Sequence, residues 1–194
     1  MTWQEKCYDV IHSHYKSGLN YGIPEHWLAG LISQECSRLD PKAARFEPHV
    51  YSAIIKAKKG ITSPSFPGFN GTGKLARYID NPLTTDDDLR ALATSYGLGQ
   101  IMGYHYYNKW SVTPDKFKNL TVKQSIEYTL RMMGEGLPFA RIGEPSDPFR
   151  ALMRWWNTGS AKKPKDGIER VHNPTYLDNA VKWAKTYKEL LEKK

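Results

Sequence analysis

Trp27-Leu28-Ala29-Gly30-Leu31-Ile32-Ser33-Gln34-Glu35-Cys36 is the stretch on which the fold turns. Trp27, Leu28, Leu31 and Ile32 stand at i, i+1, i+4 and i+5, the stripe of a helix that buries one side, and Glu35 continues it at i+8. An acid on that stripe points toward the core. Pro24 opens the helix, where a missing backbone N–H costs nothing. Outward from it the same period returns. It marks Trp3, Cys7, Val10, Ile11 and His14 in a helix from about Thr2 to Lys16, ending toward Gly18. It marks Val122, Ile126, Leu130 and Met133, then Phe149, Leu152, Met153 and Trp156, and a last helix follows Pro174 from Tyr176 to about Leu191. Period-two alternation is nearly absent, so the chain reads as mainly α.

Between these helices, Asp40-Pro41 breaks the pattern and Pro48 starts a short helical segment near Glu47 to Lys58. Residues 59–82 then carry Gly60, Pro64, Pro67, Gly68, Gly71, Gly73 and Pro82, which predicts a long Gly/Pro-rich loop. A loop of that length inside a compact domain serves as a lid or a binding loop, or is partly disordered. Asp86-Asp87-Asp88 stands where acids favour a helix N-terminus, without the glycine and distal glutamate of a calcium loop. At this length the whole chain, 1–194, is read as a single domain able to bury its own core.

The net charge is +8, and residues 161–194 carry nine Lys or Arg against five Asp or Glu. An anionic partner satisfies that excess, whether nucleic acid, an anionic membrane surface or an acidic cell-wall polymer, and so does a merely basic, soluble surface. No recognised nucleic-acid motif accompanies the charge, so no nucleic-acid partner is expected. Six Trp, twelve Tyr and six Phe suit a groove that grips a ring-shaped ligand, such as a saccharide. Cys7 and Cys36 fall on apolar helix faces and read as buried free thiols. The N-terminus lacks the apolar core of a signal peptide, and no run approaches the ~18 apolar residues of a membrane span. The histidines and cysteines show no zinc spacing, and there is no phosphate loop or dinucleotide fingerprint, so neither metal nor cofactor is expected.

A lone acid on an apolar stripe is able to hold a proton near neutrality, which is what general-acid cleavage of a glycosidic bond requires. The surrounding motifs carry that idea further. Ile32-Ser33-Gln34-Glu35-Cys36, then Ser95-Tyr96-Gly97-Leu98-Gly99-Gln100-Ile101-Met102, then Trp156-Asn157-Thr158-Gly159 resemble, in order, the motifs of the lysozyme-like superfamily of peptidoglycan-cleaving enzymes. Goose-type lysozymes and lytic transglycosylases belong to that superfamily. Arg45-Phe46-Glu47-Pro48-His49-Val50-Tyr51 adds a resemblance to the phage-type N-acetylmuramidase domain, which then covers roughly residues 25–185.

The resemblance implies a helical domain with a substrate groove and Glu35 as general acid and base. Ser95, Gly97, Leu98, Gln100, Ile101, Met102, Asn157 and Tyr176 are then substrate-binding residues. Gly97 and Gly99 let backbone approach a ligand, and the Gln100 amide offers bonds to a hydroxyl or N-acetyl group. Glu47, or Asp40, lying across the groove from Glu35, would be a second carboxylate that positions water for hydrolysis or stabilises the oxocarbenium-like transition state. Without one, the 6-hydroxyl of the muramic acid attacks and leaves a 1,6-anhydro sugar. Glu47 as a structural residue, hydrogen bonded to backbone, is the third choice. Two positions depart from the family: Cys36 stands where many members have serine, and Trp156 where they have tyrosine. A hydroxyl to support Glu35 must then come from Tyr96, Tyr104 or Tyr176.

These implications add up to a cofactor-free, monomeric muramidase or lytic transglycosylase acting on the β-1,4 bond between N-acetylmuramic acid and N-acetylglucosamine. It would be a phage endolysin that is made in the host cytoplasm and acts on the cell wall in the periplasm. The basic final helix, with Lys182, Lys185, Lys188, Lys193 and Lys194, either adds affinity for an anionic envelope surface or is a solvated outer face. The competing reading is a non-catalytic peptidoglycan-binding or phage assembly protein on the same fold.

Overall fold

The computed structural model describes residues 3–16, 20–36, 39–166, 169, 171 and 173–193. Thr2, Gly18 and Lys194, named above, lie outside them. The chain is mainly helical and divides into two compact units, Met1–Leu39 with Val122–Lys194, and Asp40–Thr121. Neither boundary falls within 59–82. The second unit is inserted in the first, whose helices come from both ends of the chain.

The discontinuous unit contains α1 (Trp3–Lys16), α2 (Glu25–Glu35), α8 (Val122–Gly143), α9 (Pro148–Thr158) and α10 (Tyr176–Glu192). Leu28 to Ser33 of α2 are buried without a break, so this helix is enclosed on every side, beyond the one-sided stripe its sequence predicts. Gly30 makes that enclosure possible. A Cβ there would lie 2.8 Å from the Ala180 carbonyl oxygen and 2.9 Å from the Ala184 methyl, so α2 and α10 meet nearly backbone to backbone. Trp27 stacks on Phe149 at 5.3 Å, joining α2 to α9. Cys7 and Cys36 are buried free thiols, and burial pushes the Cys7 thiol above its ordinary value.

The inserted unit contains β1 (Ala44–Phe46), α3 (Pro48–Lys58), α4 (Lys74–Asp80), α5 (Asp86–Leu92), β2 (Thr94–Tyr96), β3 (Ile101–Met102), α6 (Gly103–Trp110) and α7 (Pro114–Phe117). Its sheet is antiparallel in the order β1-β2-β3, with Arg45 opposite Ser95 and Tyr96 opposite Ile101. Val50, Ile54, Phe69, Leu75, Ile79, Leu89 and Leu92 form its core. The acidic run begins α5, as expected, where Thr85 and Asp88 exchange side-chain and backbone bonds in a capping box.

The 59–82 segment differs from the loop its composition predicts. Pro67–Phe69 is a 3-10 turn, and α4 follows with Leu75, Ala76 and Ile79 buried. Three apolar residues at i, i+1 and i+4 sufficed for two turns of helix. Flanking glycines and Pro82 masked them. Among the described residues no helix is long and apolar enough to cross a membrane. No group of three or more His, Cys, Asp or Glu among them is arranged to hold a metal ion.

Candidate functional site

Glu35 is the last residue of α2, half-buried, and the following Cys36 caps the helix by donating its N–H to Ile32 O at 2.8 Å. Tyr176 is the first residue of α10 and is buried. Its hydroxyl donates to Glu35 Oε1. Tyr176 is one of the three tyrosines from which the sequence requires a supporting hydroxyl. The close crossing at Gly30 explains how a bond can form between residues 141 apart in sequence. A hydroxyl bound to a carboxylate is among the stronger hydrogen bonds and holds the acceptor in one orientation. Asn157 and Trp156 occupy the last turn of α9, both half-buried, and Gly159 ends that helix in the left-handed region at φ 76°. These four residues share one unit with Glu35.

The glycine-rich motif lies in the inserted unit and forms the turn between β2 and β3. Gly97 adopts φ 75° and donates its N–H to Ala43 O at 3.0 Å, so the turn is bonded back to the residue before β1. Gln100, at φ 49°, spends its side chain on the same turn. Its Nε2 donates to Gly97 O at 2.9 Å and Ala43 O at 3.2 Å, while its Oε1 accepts from Ser95 Oγ at 2.9 Å. Both amide hydrogens are therefore used inside the protein, and the amide braces the turn. Ser95, Leu98 and Ile101 are core residues, and Gly97 is buried with them. Gln100 and Met102, both half-buried, are the members with surface left to present.

Glu47 also belongs to the inserted unit, at the residue before α3. Its Oε1 accepts from Arg45 Nε at 2.7 Å, its Oε2 lies 3.8 Å from His49 Nδ1, and its N–H donates to Ala93 O at 2.9 Å. Arg45 is exposed, so the pair is of the weak surface kind, about 0.2–1 kcal/mol. Asp40 accepts from the Lys42 N–H at 2.8 Å and shapes the turn ahead of β1.

Sequence reasoning missed Arg154. It is 2% exposed, on the apolar side of α9, and all of its nitrogens are engaged. Nε and Nη2 reach the two oxygens of Glu169 at 2.6 Å each, Nη2 also reaches Glu144 Oε2 at 2.9 Å, and Nη1 reaches Ala161 O at 2.9 Å. Arg154 holds the Glu169 carboxyl below the ordinary carboxylate value, and Glu169 raises Arg154 in return. Arg150, one turn earlier, lies 3.7 Å from Glu169 and bonds Asp178 of α10 at 2.7 Å. The available signal was its position between Met153 and Trp156, where a charge on an apolar stripe needs partners. Comparison of the chain with protein-family models, with curated proteins and with solved structures finds no match.

Proposed function

We propose that this protein is a lysozyme-like glycosidase that cleaves the β-1,4 bond between N-acetylmuramic acid and N-acetylglucosamine in peptidoglycan, with Glu35 as its general acid and base. The hydroxyl of Tyr176 on the Glu35 carboxylate carries the reading, because it supplies the supporting hydroxyl that Trp156 cannot. Oε1 accepts from the phenol, so the proton for the departing glycosidic oxygen rides on Oε2. As the C–O bond breaks, that oxygen takes the proton and Glu35 is left as a carboxylate. It then accepts a proton from the incoming nucleophile.

Glu47 is engaged by Arg45, which supports a course in which Glu35 acts without a second carboxylate. The nucleophile is then the 6-hydroxyl of the same muramic acid, and the product is a 1,6-anhydro sugar. A monomeric phage endolysin, reaching the wall through a pore made by a partner, fits this activity and the basic surface.

Clearing of a peptidoglycan suspension tests the reading. Glu35→Gln should lower the rate at least about a hundredfold while the circular dichroism spectrum is unchanged. Purified peptidoglycan left intact by the wild type, but bound by it, would establish the non-catalytic alternative. Mass spectra of the products separate the two courses, since anhydro sugars are lighter by one water than hydrolysis products.

A further inference from the structure

We infer that the ionic chain running from Glu144 through Arg154, Glu169 and Arg150 to Asp178 is a positioning device that sets the Tyr176 hydroxyl on Glu35. Tyr176 is the first residue of its helix and is buried, so its ring is placed by the α2–α10 packing together with the turn that follows and the segment that leads in. Helix α9 grips both. Glu169 belongs to the lead-in between α9 and α10, and Arg154 holds both of its oxygens. Asp178 belongs to the first turn of α10, and Arg150 holds it. The two arginines are one helical turn apart on α9, so a single helix holds one residue before Tyr176 and one after it.

The clamp has a buried anchor. Arg154 bonds Glu144, just after α8, and the Ala161 carbonyl as well as Glu169, so displacing it would leave a buried guanidinium without its partners. Arg150 extends the ionic chain outward to Asp178, whose side chain is exposed. A shift on the order of 1 Å in a group that orients a reacting side chain is enough to cost activity. The kinetic part of the inference rests on the function proposed above, and the geometric part does not.

Full-length protein carrying carbon-13 in its glutamate carboxylates provides the test. The Glu35 resonance is assigned by its loss in Glu35→Gln and followed at fixed pH. Tyr176→Phe should displace it, and Glu169→Gln and Asp178→Asn should displace it in the same direction. On soluble glycan strands, Glu169→Gln should lower kcat about tenfold with KM unchanged. The inference is overturned if Tyr176→Phe leaves the resonance in place, or if Tyr176→Phe moves it while the two folded clamp variants do not. Asp178 is on the surface, so Asp178→Asn decides the matter alone if Glu169→Gln does not fold. A wild type that degrades no peptidoglycan, yet shows these displacements, removes the proposed function and leaves the positioning role standing.

Discussion

Glu35 and Glu47 belong to different compact units, and the chain holds them by different means. Glu35 ends an enclosed helix and takes the hydroxyl of Tyr176 from 141 residues away. The Glu47 carboxylate is met from within its own stretch of chain, by Arg45 and His49, while its N–H reaches Ala93 O. The side-chain contact of the first exists only while several helices are packed, whereas that of the second joins residues two apart in the chain. The glutamate proposed for catalysis is thus the one whose setting depends on the whole unit.

That contrast predicts unequal sensitivity to substitution. Arg154→Ala would leave Glu144 and Glu169 without their buried partner, and urea titration should show a loss of about 3–5 kcal/mol. The same pair makes the contrast pH-dependent. Glu169 lies below its ordinary 4.5 when folded, so its contribution is fully present above that value and is lost as pH falls through the lower folded one. Stability should therefore decline more steeply below pH 4.5 in the wild type than in Glu169→Gln.

A smaller effect is expected at the helix crossing. Gly30→Val places methyl groups against the Ala180 carbonyl and should cost about 1–3 kcal/mol in the same titration. It should also displace the Glu35 resonance by separating α2 from α10. An unmoved resonance would break the link drawn between packing and the setting of Glu35. The smallest effect belongs to Arg45→Ala, which removes an exposed partner and should change stability by less than about 1 kcal/mol. A loss as large as that of Arg154→Ala would erase the distinction between the two acids.

Several elements were readable before any coordinates because their cause is local. Pro48 does begin α3, Thr85 and Asp88 cap α5, and the stripes of α8 and α9 bury Ile126, Leu130 and Met133, and Phe149, Leu152 and Met153. The sheet was not readable, because strands of two or three residues are too short to show alternation. Gln100 reads from the sequence as a substrate-binding residue. Whether its amide faces a ligand or braces its own turn depended on Ala43, a neighbour far away in the chain.

By itself, the sequence determined the helical class, the helix starts and the presence of an acid at the end of an apolar helix. These follow from side-chain periodicity and from backbone preferences that act over a few residues. The partner of that acid, the burial of Arg154 and the helix within 59–82 were decided by tertiary structure. Each depends on groups brought together by packing across long stretches of chain, and local preference contains no term for such contacts.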